Sequence, residues 1–340
     1  MFGEYSLSED FAFLGVVLVM LYVNLKTHHN DKPITTKNAA IWSVIWVAVA
    51  LLFAGYIDLF HGSRDASAFL TGYVIEKVLS IDNLFIIMAV FASFRIEEKY
   101  QHRVLYWGIL LAMVLRFIFV LVGAALIELG GKYVSGLFGG MILWSAWKML
   151  KSVRLPSEAE TDYTHHPIVK FTSRFFPIYP YIENQNFFVK KTVEEEGSNL
   201  AATRADSEDN TTATSLKWHA TPLFLCLIVM ELVDVVFAFD SVPAIFAITE
   251  KSFLVYTSSI FAILGLRSLY FLIAAAKKYL CHLEKSVVAI LLFIGGEMIL
   301  EFFELIEIKP LVSLGVITGI IAAGVVTSLV GSFRKRATMP

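Results

Sequence analysis

The sequence is poor in cysteine and in charged residues. Only Cys226 and Cys281 occur among 340 residues, without a CxxC pair, and Asp, Glu, Lys and Arg together make up 17%. A disulfide framework and a thiolate zinc site are therefore not expected. The phosphate-binding pattern GxxxxGK[ST] does not occur either, so no ATP-driven mechanism is expected within the chain.

Apolar residues are abundant instead. They account for 57% of the chain, and the mean hydropathy of +0.67 is far above that of a soluble domain. Since a span needs about 20 apolar residues, the apolar runs predict an all-α, polytopic membrane protein with about nine transmembrane helices. The predicted spans cover residues 11–25, 39–57, 69–94, 104–127, 133–150, 221–248, 253–276, 287–303 and 311–333.

Basic residues are unevenly distributed between the loops. Lys and Arg cluster after the first, third and seventh predicted spans and at the carboxyl end. The positive-inside rule then predicts an external amino end and a cytoplasmic carboxyl end. Because Glu4, Glu9 and Asp10 stand where a cleaved signal would need basic residues, the first apolar run is expected to be a mature span.

A polar segment, 151–220, divides the chain into a first membrane half, 1–150, and a second, 221–340. The charge rule predicts that this segment is a cytoplasmic loop. Its part 192–215 is rich in Glu, Ser, Thr, Asn and Asp and is expected to be disordered. The aromatic residues between 171 and 188 are expected to pack at the membrane surface or the cytoplasmic mouth, with a plug or gate as the alternative.

Acidic residues lie inside two of the predicted spans. The third span holds Glu76 and Asp82, and the sixth holds Glu231, Asp234 and Asp240. A carboxylate at the membrane centre costs at least about 2.5 kcal/mol, which makes such residues functional candidates. Both Glu76–Asp82 and Asp234–Asp240 are separated by six positions, and the two spans have opposite predicted orientations. This arrangement predicts two inverted repeats with a site at their junction.

The polar groups of these spans are hard oxygen ligands, which favour Mg²⁺, Ca²⁺ or Mn²⁺ over Cu²⁺, Zn²⁺ or Ni²⁺. On straight helices Asp82 and Asp240 point about 120° away from the other acids. Convergence therefore requires a local break, which Pro243 permits, or neighbouring spans that surround the acids. The predicted metal ligands are Glu76, Asp82, Asn83, Glu231, Asp234, Asp240 and Ser241.

Three basic residues are predicted to balance this charge: Lys77, Arg116 and Arg267. Five acids against three bases leave a surplus of two negative charges, which equals one divalent cation. Ion pairs that only hold helices together, and a proton relay, are the alternatives. In the eighth span, Glu297 and Glu301 share a helix face and could line an exit path, with solvation of the helix end as the alternative.

Four motifs in the sequence resemble those of the TerC family of integral membrane proteins, and within it the Alx-type subgroup. They are residues 72–83 (GYVIEKVLSIDN), 221–224 (TPLF), 231–244 (ELVDVVFAFDSVPA) and 260–271 (IFAILGLRSLYF). The resemblance extends over about residues 41–300. Three features depart from the family pattern. Ser259 replaces a usual Asn, Glu297 replaces a common lysine, and residues 192–215 form an extra insertion in the cytoplasmic loop.

The resemblance implies a bacterial inner-membrane protein of the lysine and cation exporter superfamily, with Mn²⁺ efflux as the leading activity. It leaves open a membrane-bound redox modulator or tellurium resistance protein without transport, and an amino-acid exporter. No enzymatic activity, resident cofactor or nucleic-acid partner is expected. The expected partners are the lipid bilayer, the transported divalent cation and protons, and the oligomeric state stays open.

Overall fold

A computed structural model describes residues 35–154, 186–192, 216–276, 283–306 and 308–337, together with residue 182 and six residues between 13 and 20. The elements in chain order are α1 (Thr36–His61), α2 (Ser63–Ser93), α3 (Glu98–Gly130), α4 (Lys132–Arg154), β1 (Phe188–Thr192), β2 (Leu216–Ala220), α5 (Pro222–Phe246), α6 (Ser252–Leu264), α7 (Leu266–Ala276), α8 (Leu283–Phe302) and α9 (Pro310–Ala337).

Glycine allows two of the tight helix connections. Gly62 joins α1 to α2 with φ +93°, and Gly131 joins α3 to α4 with φ +50°, a backbone region that glycine adopts without steric cost. The amide of Gly62 still donates to the carbonyls of Ile57 and Asp58. These turns reverse the chain and place successive helices side by side.

The bundle has two ends, which are named here by a landmark residue or element. At the Gly62 end, α1, α3, α5 and α8 finish and α2, α4, α6 and α9 begin; Lys132 and Glu304 form an exposed ion pair there, with 2.7 Å between Nζ and Oε1. At the hairpin end, antiparallel strands β1 and β2 pair Phe188 with Ala220. The ring of Phe188 lies 4.4 Å from that of Phe224 in α5, so the hairpin packs on the bundle.

Aromatic side chains fill the core between α1, α2 and α6. The rings of Phe53 and Phe261 stack at 4.7 Å, and Phe69 lies edge-on to both, at 5.1 and 5.7 Å. Phe13, one of the described residues of the amino-terminal segment, joins this cluster at 6.1 Å from Phe53. Phe13 therefore packs against the bundle.

The outer surface of the bundle is apolar. In α1, for example, Leu52 is 75% exposed and Leu59 is 81% exposed, although both are large hydrophobic residues. By length and composition, Thr36–His61, Glu98–Gly130, Pro222–Phe246 and Pro310–Ser328 can each span a membrane. The pair Ser252–Leu264 and Leu266–Ala275, bent by 48°, supplies a fifth span if counted as one. The protein is thus an all-α, multi-pass membrane protein.

Each of the predicted apolar runs falls on helical residues in the described part of the chain. The helices α2, α4 and α8 are not among these candidate spans, so the count of about nine spans stays a prediction. The division into membrane halves and the inverted repeat also stay predictions. Residues 193–215 of the predicted disordered segment, Cys281 and the side chain of Asp82 lie outside the described residues. The small β-hairpin was not predicted.

Candidate cation site

A buried ion pair between α2 and α3 forms the centre of the candidate site. Nη2 of Arg116 lies 2.7 Å from Oε1 of Glu76, and the two side chains are 1% and 2% exposed. Nη1 of Arg116 donates to Oε2 of Glu76 at 3.0 Å, which makes the contact bidentate. The same nitrogen also donates to Oγ of Ser241 in α5. One guanidinium therefore joins three helices.

The pair lies deep in the bundle. Glu76 follows the start of α2 by 13 residues and Arg116 precedes the end of α3 by 14. At 1.5 Å of rise per residue, both are about 20 Å from the Gly62 end, within a hydrocarbon core about 30 Å thick. A bidentate carboxylate contact is among the strong hydrogen-bonded arrangements, and the low dielectric constant of the surroundings strengthens it further.

Two more acids from α5 surround this pair. Asp234 interacts electrostatically with both Glu76 and Arg116, and Glu231 interacts with Asp234. Glu231 is 5% exposed, and its Oε2 has no hydrogen-bond partner among the described residues. A Cβ added at Gly108 of α3 would lie 3.0 Å from Oε1 of Glu231. The glycine thus lets α3 approach this carboxylate closely.

The charges of this cluster do not cancel. Glu76, Glu231 and Asp234 contribute three negative charges when ionised and Arg116 one positive charge, so three minus one leaves a surplus of two. Since an uncompensated buried charge is costly, protons or a cation must accompany these acids. Within the described part of the chain, no three His, Cys, Asp or Glu side chains are arranged to hold a metal ion.

Asp240 faces a different helix from the other acids of α5. Its Oδ1 accepts a hydrogen bond of 2.6 Å from Oγ of Ser145 in α4, and Lys148 of the same helix interacts with it electrostatically. Both α2 and α5 are continuous helices at the acidic motifs, with Pro243 inside α5. Of the two routes to convergence, a local break is therefore absent from both helices, and Asp240 interacts with the neighbouring helix α4 instead.

The structure separates the three basic residues. Arg116 contacts the acids, whereas Lys77 donates to the carbonyl of Ala262 in α6 at 2.8 Å. Nη2 of Arg267 lies 3.3 Å from Nδ1 of His102, towards the hairpin end. Lys77 and Arg267 therefore make their hydrogen bonds away from the acids, although Lys77 still interacts electrostatically with Glu76. The surplus of two counts the three acids against Arg116, the one of these bases that contacts them.

Lys77 occupies the break between α6 and α7. The carbonyl of Ala262 would accept from the amide of Leu266 in an uninterrupted helix, and the Lys77 ammonium donates to it instead. A Cβ at Gly265 would meet Nζ of Lys77 at 2.6 Å. A cation at the carboxyl end of α6 also complements the helix dipole.

The remaining predicted residues with described side chains are Asn83, Glu297 and Glu301. Asn83 is 6% exposed and its Oδ1 has no hydrogen-bond partner among the described residues. Glu297, 5% exposed, accepts a hydrogen bond of 2.7 Å from Oγ of Ser313. Glu301 lies one turn further along α8, at a cavity of the Gly62 end. Sequence reasoning missed Ser145, which stands in an ordinary apolar run.

Comparison with known proteins agrees with the resemblance of the motifs. Residues 61–337 match the model of the family described as "Integral membrane protein TerC family". No solved structure matches the chain.

Several curated bacterial proteins are similar over most of their length. A tellurium resistance protein TerC of Serratia marcescens is 44% identical, with 93% of this chain and 92% of the relative aligned. A tellurium resistance protein TerC of Alcaligenes is 42% identical, with 94% of this chain and 92% of the relative aligned. A putative membrane-bound redox modulator Alx of Escherichia coli K12 is 37% identical, over 91% and 90%. The chain belongs to the TerC family of integral membrane proteins.

Proposed function

We propose that this protein exports a divalent cation, with Mn²⁺ as the leading substrate, from the bacterial cytoplasm across the inner membrane in exchange for protons. The observation that carries the proposal is the buried acid cluster around Arg116, with its surplus of two negative charges. One divalent cation, or two protons, neutralises that surplus. The two occupants therefore compete for the same groups, which is the basis of an antiport.

The ligand chemistry supports a hard cation. Glu76, Glu231, Asp234, Asn83 and Ser241 offer carboxylate, amide and hydroxyl oxygens, the donors preferred by Mn²⁺, Mg²⁺ and Ca²⁺. The choice of Mn²⁺ among these rests on the family resemblance.

Arg116 would act as an internal substitute for the cation. In this structure its guanidinium contacts both carboxylate oxygens of Glu76. Entry of a divalent cation would displace the guanidinium, so that the carboxylates approach the ion and Arg116 keeps its contact with Ser241. Alternating access of the inverted halves, with an external amino end, completes the proposed cycle.

Flux in proteoliposomes tests the proposal. Purified protein is reconstituted, and Mn²⁺ movement across an imposed pH gradient is compared for wild type, Glu76→Gln, Asp234→Asn and Asp82→Asn. The exposed acid Asp58 of α1 supplies a matched control, Asp58→Asn. We expect flux in wild type and control and its loss in Glu76→Gln and Asp234→Asn. Equal flux in all variants would refute the site.

Two further arms test the alternative functions. Lysine transport is measured in the same liposomes to test whether the acids bind an amino acid instead. In that case lysine would cross the membrane and Mn²⁺ would not. Replacement of Cys226, a fully buried residue of α5, together with Cys281 tests a thiol redox role. Retained Mn²⁺ flux in the double variant is expected, and its abolition would favour the redox function.

A further inference from the structure

A cavity of about 360 Å³ opens at the Gly62 end of the bundle, between the ends of α5 and α8 and the starts of α2, α4 and α9. Backbone of the α5–α6 connection forms one wall, and Met298 and Pro310 lie on the opposite helices. Its charged lining residues are Arg64, Asp65, Glu250, Lys251 and Glu301. Three acids against two bases leave this cavity with a surplus of one negative charge.

An ion pair crosses the cavity. Nζ of Lys251 donates to Oδ2 of Asp65 at 2.6 Å, and the two side chains are 48% and 11% exposed. Asp65 stands in the first turn of α2, whereas Lys251 precedes α6. The carboxylate is thus held in the wall, and the ammonium reaches it from the solvent side on a long side chain.

Asp65 is aligned with the acid cluster in the membrane interior. Glu76 follows it by 11 residues, which is about three helical turns, so the two carboxylates share one face of α2 about 16 Å apart. Gly72 lies on this face between them. A Cβ at position 72 would meet Oγ of Ser258 at 2.7 Å and Cγ2 of Ile245 at 2.9 Å. The close contact of α2 with α5 and α6 therefore closes the space between Asp65 at the cavity and Glu76 in the acid cluster.

A buried carboxylate lies just below the cavity. Glu297 is one turn from Glu301 on the same face of α8, next to the lining residue Met298. It is 5% exposed; Oε1 accepts from Ser313, and Oε2 has no hydrogen-bond partner among the described residues. Ser313 itself follows the lining residue Pro310 by three positions. Such a half-satisfied carboxylate is costly without a proton or a cation.

We propose that this cavity is the vestibule through which the exported divalent cation leaves, which rests on the function proposed above. Glu297 receives the ion from the acid cluster, and Asp65 and Glu301 bind it as it leaves. A returning proton reaches Glu297 from the cavity and moves on towards the acid cluster. Lys251 pairs with Asp65 after the ion has left, as Arg116 pairs with Glu76 in the membrane interior. The close helix contact at Gly72 is the gate between the acid cluster and the cavity. A basic residue lies on each side of it: Arg116 at the acid cluster and Lys251 at the cavity.

Direct binding of Mn²⁺ to the purified full-length protein, followed by the electron paramagnetic resonance signal of the free ion, tests the vestibule. The measurements use the Asp234→Asn background, which weakens the interior site. Added Glu301→Gln should reduce the remaining affinity about tenfold, whereas Lys251→Met should raise it about tenfold because it removes the ammonium that competes with the ion for Asp65.

The exposed pair of Lys132 and Glu304 provides matched controls, since it lies at the same end but does not line the cavity. Lys132→Met and Glu304→Gln should change the affinity less than about twofold. If Glu301→Gln and Lys251→Met behave like these controls, the vestibule is refuted even where Asp234→Asn abolishes flux. If flux is absent from wild type while the vestibule variants shift binding, the proposed function fails and the cation site stands.

Discussion

Arg116 and Glu76 form a bidentate ion pair between α3 and α2, with both side chains at most 2% exposed. Because Ser241 of α5 contacts the same guanidinium, any movement of Arg116 changes the relation of three helices at once. The pair thus links the occupancy of the acid cluster to the packing of the bundle.

Removal of Arg116 should destabilise the protein more than removal of a surface base. Arg116→Met leaves Glu76 as an uncompensated buried charge, and we expect a loss of about 3–5 kcal/mol in unfolding free energy. The measurement is denaturation with SDS in mixed micelles. Arg116→Met combined with Glu76→Gln should recover part of the loss, whereas the control Lys132→Met should leave the unfolding free energy close to that of wild type, because an exposed ion pair contributes little. Equal effects of Arg116→Met and Lys132→Met would contradict the buried pair.

Asp234 and Asp240 should differ in their effect on cation binding. Asp234 interacts with Glu76 and Arg116, whereas Asp240 accepts from Ser145 on α4. We expect Asp234→Asn to weaken Mn²⁺ binding at least about tenfold and Asp240→Asn about threefold or less. Ser145→Ala should resemble Asp240→Asn, and calorimetric titration of the purified variants measures all three. A loss of binding in Asp240→Asn as large as in Asp234→Asn would show that the two acids act on one ion.

Gly72 should not tolerate a methyl group. An added Cβ would press on Ile245 and Ser258 at under 3 Å, and overpacking of this kind costs about 1–3 kcal/mol. Gly55 of α1 is the matched control, since nothing lies within 4 Å of its added Cβ. There, Gly→Ala should stabilise by up to about 1 kcal/mol through helix propensity. Thermal unfolding in detergent compares the two, and equal midpoints would argue against a tight α2 contact.

Lys77 should stabilise the break between α6 and α7. Lys77→Met leaves the carbonyl of Ala262 without its donor, which should cost about 1–3 kcal/mol. The exposed Lys99, paired with Glu97 at 2.8 Å, gives the control Lys99→Met, whose unfolding free energy should stay close to that of wild type. SDS denaturation measures both. A wild-type stability of Lys77→Met would mean that the carbonyl finds another donor.

Local patterns in the sequence predicted the membrane class and the helices. Runs of about 20 apolar residues have few alternatives to a membrane helix, since every backbone polar group must be satisfied within the segment. The acids at Glu76, Glu231 and Asp234 were recognisable because charge is rare inside such runs, and the motifs around them identified the family.

The partners of those acids depended on the tertiary structure. Helical periodicity gives the face of a residue but not the helix that packs against it, so Lys77, Arg116 and Arg267 were equivalent in sequence. In the folded bundle only Arg116 pairs with Glu76, while Lys77 caps Ala262 and Arg267 contacts His102. Asp65 and Lys251, 186 positions apart, meet for the same reason.

The sequence by itself determined that this chain is a helical membrane protein with acids in its interior, because the cost of charge in lipid makes those acids stand out. Only the tertiary structure decided which acids share a cluster and which base joins them, since that depends on how α2, α3 and α5 pack. The donor chemistry follows from composition, whereas the charge balance of the cluster and the bidentate contact of Arg116 with Glu76 follow from packing.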